Sequence, residues 1–351
     1  MSNLKIVVVG VGLGGKIHIK RLRDNSEVVL SAVVAPNRLA NHQFAQAEGV
    51  PIFHDLDETL RIVKPDGVII ASPNNFHVAQ TKTCIDAGVA VLLEKPVSGN
   101  LEDARSLCEY ISDKRTPVLV GHHRAHNPII KNARDIIRGG RLGHVVTATG
   151  SAQFYKPDHY FNDGPWRREL GGGPVLINMI HEVDNFRRLI GEISQVQAIT
   201  TNANRGFVVE DTAVINFIFK NGALGSFVVS DVAASSRSWE QTSGENPGYP
   251  SYASGDCYLI AGTKGSLSVP TMRLQYFDDE TPPSWWTPFK EEVIMIEKKD
   301  PIELQLQHFI DVINGNAPPL VTVQDGFNNL LVIDAIKRSA QSRSIVDVSS
   351  A

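Results

Sequence analysis

Residues 4–15, LKIVVVGVGLGG, narrow the possible folds more than any other stretch of the chain. A short run dominated by β-branched aliphatics, bounded by glycine, reads as a strand covered on both faces. It runs into Gly10, Gly12 and Gly15, spaced as G-x-G-x-x-G with Leu13 and Gly14 inside the pattern, and a helical stretch follows at 14–24. Alone, that spacing is a weak signal. Between a strand and a helix it predicts a tight turn whose bare backbone lets a pyrophosphate approach the amides and the positive dipole end of the helix.

The same rhythm continues through the first third. EVVLSAVVA, GVIIAS, VAVLLEK and TPVLVGH are apolar strands, separated by helical stretches at 37–48, 75–88 and 100–113. Such strands with intervening helices predict a doubly wound parallel sheet, the Rossmann arrangement, with ligands at the carboxyl ends of the strands. Where a ribose-binding acid is expected, at the end of the second strand, the chain has Ala35, followed by Asn37 and Arg38. An acid there repels a 2′-phosphate and an arginine binds one, so NADP is slightly favoured over NAD. Two more strand ends, the segment from Ser72 through Pro73 and Asn74 to His77, and Glu94-Lys95-Pro96, complete the expected dinucleotide pocket.

Past residue 121 the pattern changes. A helix at 128–139 leads into VVTATGSAQF, then a loop carrying YKPDHYFNDGPW, then GGGPVLINMIHEVD. On a helix, Asn178, His181 and Asp184 recur every third position and share one side. ISQVQAITTN, DTAVINFIFK, ALGSFVVSDVA and CYLIAGTKGSLSV read as strands, with Asn221-Gly222 as a hairpin turn. Helices are expected at 301–314 and 324–340, and 235–256 reads as a loop. The expected architecture is α/β: a doubly wound parallel domain over 1–121, then an α/β domain with a large, open, mainly antiparallel sheet over 122–351. The C-terminal helix is expected to pack back on the first domain.

Composition sets the outer bounds. A chain of 351 residues, 42% hydrophobic and 21% charged, has ample core material for two domains. A net charge of −4 gives no support to nucleic-acid binding. The three cysteines form no CxxC pair, and the segment His122-His123-Arg124-Ala125-His126 lacks a closing set of ligands, so no metal site is expected. No apolar run approaches the ~20 residues of a membrane span, and the N-terminus enters a strand directly. A cytoplasmic protein is the expectation.

A small set of side chains could carry chemistry. His181 is suited to accept or donate a proton near neutral pH. Lys95, kept cationic, would stabilise a developing alkoxide, or would act as the base if burial lowered its pKa. Asn178, an amide where a carboxylate would be a proton acceptor, suits recognition of hydroxyl groups. Asp184 would orient the His181 ring or form a structural ion pair. Arg124, Tyr155, His159, Trp166 and Arg167 are candidates to cover a sugar ring or grip a carboxylate.

Taken in order, G-V-G-L-G-G, S-P-N-N-F-H, E-K-P, G-H-H-R-A-H-N-P, G-G-G-P-V-L-I-N-M-I-H-E-V-D and the closing stretch from E-L-Q-L-Q-H-F-I resemble the Gfo/Idh/MocA family of NAD(P)-dependent sugar and polyol oxidoreductases. The resemblance implies a substrate cleft between the domains, and Lys95 and His181 acting on the oxygen of the reacting carbon. It also implies an open sheet that serves as an oligomer interface, hence a homodimer or homotetramer. The expected function is hydride transfer between NAD(P) and a secondary hydroxyl of a sugar, cyclitol, sugar acid or related ring. The alternatives are a trans-dihydrodiol or aldose 1-dehydrogenase, and a lyase or hydrolase working through tightly bound NAD. A cofactor-sensing regulator is disfavoured, because it would need no acid/base pair.

Overall fold

The computed structural model describes residues 3–278, 280 and 282–349. They form two compact units: the chain up to His126 together with Pro301–Leu330, and Asn127–Asp300 together with the chain from Leu331 onward.

The first unit alternates β1 (Leu4–Val9), α1 (Leu13–Asp24), β2 (Val28–Val34), α2 (Leu39–Glu48), β3 (Ile52–Phe53), α3 (Leu56–Val63), β4 (Gly67–Ile70), α4 (His77–Asp86), β5 (Ala90–Leu93), α5 (Leu101–Ile111) and β6 (Val118–Val120). All strand pairs are parallel, in the order β3-β2-β1-β4-β5-β6. This is the doubly wound Rossmann sheet that the glycine turn and the apolar runs predict. Ile6–Val9, Val68–Ile70 and Val91–Leu93 are almost wholly buried, which is why these strands are apolar on both faces. The sequence reading missed β3 and α3. A strand of two residues has no visible period, and α3 is announced chiefly by its cap, Asp55, whose carboxylate accepts from the Glu58 amide at 2.7 Å.

The second unit comprises α6 (Pro128–Arg138), β7 (Val145–Gln153), α7 (Asp158–Asn162), α8 (Gly173–Ile177), α9 (Met179–Leu189), β8 (Ile193–Thr201), β9 (Thr212–Phe219), β10 (Leu224–Ser230), α10 (Trp239–Thr242), β11 (Tyr258–Gly262), β12 (Gly265–Val269), β13 (Arg273–Tyr276) and β14 (Lys290–Val293). Near the C-terminus come α11 (Pro301–Ile313), α12 (Val323–Ser342) and β15 (Val346–Asp347). The nine strands run β14-β13-β12-β11-β7-β10-β9-β8-β15, antiparallel except where β10 pairs with β7. The Asn221-Gly222 turn does join β9 to β10 as a hairpin.

Phe186 of α9 packs on the sheet through Phe217, Phe227 and Tyr258, with ring centroids 5.3–5.9 Å apart. Burial of aromatics on this scale, with edge-to-face geometry, is a principal stabilising term for the layer.

Two expectations need revision. The helix expected at 301–314 within the 122–351 domain, α11, lies in the first unit, where Phe309 and Ile313 fill the space that a side chain at Gly67 would occupy. The single helix read through GGGPVLINMIHEVD is broken at Asn178 (φ −102°, ψ −48°), which ends α8 and begins α9.

Candidate active site

The glycine turn has the geometry of an anion cradle. Gly10 has φ +95°, and a Cβ there would lie 2.6 Å from the Ala71 carbonyl oxygen. A Cβ at Gly15 would lie 1.9 Å from the Gly10 oxygen, so both glycines are demanded by the packing of the turn itself. Gly12 is different: a Cβ there meets nothing within 4 Å. It also begins α1 with no side-chain cap and no acid in the first turn, whereas α3, α5 and α6 start under Asp55, Asn100 and Asn127 caps. An uncapped helix N-terminus facing open space suits the pyrophosphate of a dinucleotide. Leu13 is 75% exposed beside it.

Around this cradle the other candidates take varied places. Ala35 is buried at the end of β2, and its oxygen accepts from His54 Nδ1 at 2.8 Å. Arg38 is exposed at the start of α2, and Asn37 Oδ1 is engaged by His42 Nε2 at 2.9 Å. The Ser72 hydroxyl donates to Gln80 at 2.6 Å, while Pro73 and Asn74 form the turn into α4. His77 is buried, with Nδ1 2.8 Å from the Pro96 oxygen and Nε2 2.9 Å from the Ser72 oxygen. It thus ties the Ser72 turn to the Glu94-Lys95-Pro96 segment. Burial lowers its pKa, against those two hydrogen bonds and Glu94.

Lys95 sits at the end of β5, before a cis peptide bond to Pro96. Its neighbour Glu94 receives a hydrogen bond from His18 Nε2 of α1 at 2.7 Å. Burial opposes the Glu94 charge, yet His18, through hydrogen bond and charge, together with Lys95 and His123, outweighs it and holds the carboxyl at about 2. Gly121 makes room for it, since a Cβ there would be 3.1 Å from the carboxylate. Arg124, in the turn after β6, is 4% exposed. Among the described residues, no group of three or more His, Cys, Asp and Glu could hold a metal ion, and no helix is long and apolar enough to cross a membrane.

The second unit carries the rest. Two glycines of the triplet answer to local packing: Gly172 backs onto the Arg167 backbone, and Gly173 (φ +78°) backs onto the Glu210 carboxylate, whose Oε1 accepts from the Val175 amide at 2.9 Å. Asn178 and His181 are each 8% exposed and joined through the backbone, His181 N to Asn178 O at 3.0 Å. Asp184 is paired with Arg188 at 2.7 Å, the structural reading of that residue. Glu182, buried on the same helix, accepts from the Tyr258 hydroxyl.

Arg167 lies over the Tyr160 ring at 4.0 Å, while Tyr155, His159 of α7 and Trp166 are exposed along the same segment. Trp166, at 55% exposed, does not anchor that segment in the core.

Sequence reading passed over four residues here. Lys156 Nζ donates to Asn178 Oδ1 at 2.6 Å, and Arg205 pairs with Asp231 at 2.7 Å while also donating to the Lys156 oxygen at 2.7 Å. Burial brings Lys156 down to about 8, helped by Arg167 and Arg205 and opposed by Asp231 and Glu240. Burial likewise raises Asp231, against Lys156 and Arg205. His18 is the fourth; on α1 it looks like an ordinary helix residue, and only the fold brings it to Glu94. The sole sequence signal for Lys156 was its place in an aromatic-rich loop.

An inositol 2-dehydrogenase of Rhizobium meliloti (strain 1021) is 25% identical to this chain over 341 residues, covering 96% of it and 97% of the relative. The WlbA dehydrogenase of Bordetella pertussis, solved with NADH and UDP-GlcNAcA, has a TM-score of 0.79 at 21% identity, with all of both chains covered. The scyllo-inositol dehydrogenase of Lactobacillus casei, solved with NAD(H) and scyllo-inositol, has a TM-score of 0.77 at 21% identity, covering 99% of this chain and 100% of its own. The two structural likenesses speak for the fold. Residues 4–122 match the oxidoreductase family's NAD-binding Rossmann fold, and residues 134–348 its C-terminal α/β domain. The chain therefore belongs to the Gfo/Idh/MocA family of oxidoreductases.

Proposed function

We propose that the protein is a dehydrogenase that uses NADP or NAD on a secondary hydroxyl of a sugar, cyclitol, sugar acid or related ring. The observation that carries this reading is the open cradle over Gly12 at an uncapped helix N-terminus, within a family of NAD-binding oxidoreductases. Gly10, Gly12, Leu13, Gly14 and Gly15 would hold the pyrophosphate, and Ser72, Pro73, Asn74, His77, Glu94 and Lys95 would shape the rest of the pocket. A bound nicotinamide supplies the hydride chemistry, which leaves orientation and proton handling to the protein.

His181 takes the hydroxyl proton during oxidation and returns it in reduction. Lys95 stabilises the alkoxide charge that develops on the same oxygen. Asn178 reads a hydroxyl group, and Arg124, Tyr155, His159, Trp166 and Arg167 enclose or grip the ring. The inositol 2-dehydrogenase relative supports a cyclitol or sugar over other alcohols. Ala35, in place of an acid, and the exposed Arg38 support NADP slightly over NAD. The sheet face bearing Ile199, Val214, Leu224 and Leu259, all exposed, supports a homodimer or homotetramer.

The test is turnover of sugars, inositols and uronic acids with each cofactor, followed at the nicotinamide absorbance, for wild type, Lys95→Ala and His181→Ala. Loss of activity in both variants is expected. Full activity in both contradicts the mechanism, and a strong preference for NADH over NADPH contradicts the cofactor assignment.

A further inference from the structure

We propose that Lys156 is a positioning residue that fixes the Asn178 amide in one orientation, so that a substrate oxygen meets it as a hydrogen-bond donor and never as an acceptor. This rests on the reading above, in which Asn178 contacts the substrate. A lysine ammonium has donors only. Its partner at 2.6 Å is therefore Asn178 Oδ1, and Nδ2 is turned away. Among the described residues, none accepts a hydrogen bond from that Nδ2. Without such an anchor an amide can present either end.

The anchor is itself held firmly. Lys156 is 5% exposed, its amide donates to the Asp231 oxygen at 2.8 Å, and its carbonyl accepts from Arg205 at 2.7 Å. Its ammonium lies 5.0 Å from the Tyr160 ring centroid and 5.7 Å from that of Phe154.

Protonation decides what the anchor does. The ionisable groups around Lys156 are Asp231 after β10, Glu240 on α10, Arg167 before α8, Arg205 between β8 and β9, and Tyr160 on α7, with His181 beyond Asn178. Burial, aided by both arginines against both carboxylates, puts its titration at about 8. Below that pH the ammonium locks the amide. Above it, a neutral amine can accept from Nδ2, so the amide can turn over and present Oδ1 instead. An arginine at this position stays charged and donor-only throughout.

The experiment compares wild type, Lys156→Met, Lys156→Arg and Asn178→Ala across about pH 6.5–9.5. The substrates are myo-inositol, scyllo-inositol, D-glucose and D-glucuronate, with thermal melting run alongside. For the best substrate, Lys156→Met and Asn178→Ala should each raise KM about tenfold at pH 7 while kcat stays within about threefold. The wild-type KM should climb as pH passes about 8, and Lys156→Arg should abolish that climb.

A raised KM in Asn178→Ala with none in Lys156→Met overturns the inference and leaves the functional reading standing. Should Lys156→Met not fold, an alkaline KM climb that persists in Lys156→Arg overturns it instead. A wild-type KM in Asn178→Ala, or no turnover of any of the four compounds, overturns the functional reading and the inference together.

Discussion

In the first unit Gly10, Gly12 and Gly15 shape the candidate cofactor site by what they lack, whereas in the second unit Lys156, Asn178, Arg205 and Asp231 shape a polar wall by what their side chains hold. The first arrangement is local: six residues of chain set the cradle, and its partner is a backbone dipole. The second is assembled from segments 22 and 26 residues apart, through buried polar contacts that must all be satisfied at once. A site built from absence tolerates many sequences around its glycines. A site built from paired charges fails when one member is removed.

The largest effect should come from breaking that wall. Arg205→Met strips the buried Asp231 carboxylate of its direct ion-pair partner, leaving only the charge of Lys156 to offset it, and should cost about 3–5 kcal/mol in urea unfolding, most of it recovered when Asp231→Asn is added. Equal costs for the single and double variants would mean that the ion pair is not what holds the wall.

The next effect falls in the first unit, at the Glu94 carboxylate paired with His18. Glu94 titrates at about 2 in the fold, below the ~4.3 of a free glutamate, so its contribution is present above about pH 4.3 and is lost as pH falls toward 2. Glu94→Gln should lower stability by about 2–3 kcal/mol at pH 7 and flatten the dependence over that acid window. An unchanged acid profile would contradict the His18–Glu94 pair.

The smallest effect sharpens the contrast itself. Gly12→Ala adds a Cβ that meets nothing within 4 Å, so melting should hold steady while NADH binding weakens about tenfold or more, roughly 1.4 kcal/mol. Weakened binding together with a large loss of stability would show that Gly12 serves the fold, as Gly15 does.

The same contrast explains what could be read from the chain. The parallel sheet, the glycine turn, the place of Lys95 at a strand end and the hairpin at Asn221-Gly222 were legible because each follows from a local pattern: continuous apolar runs, glycine spacing, a strand end or a turn dipeptide. The break at Asn178 was not, because the apolar spacing of VLINMI suits one continuous helix and the interruption appears only where Asn178 meets Lys156. Nor was the placement of α11, whose pattern says that one face is buried but not against which sheet. His18, Lys156, Arg205 and Asp231 are ordinary letters until tertiary packing removes water from around them.

The most direct test of the account is kcat and NADH affinity measured together in His181→Ala, on the best substrate of the sugar and cyclitol panel. The account assigns cofactor binding to the backbone of the first unit and proton transfer to a side chain of the second. It predicts an NADH affinity within about twofold of wild type and a kcat lowered by about 10²–10⁴. A kcat within about threefold of wild type would contradict it.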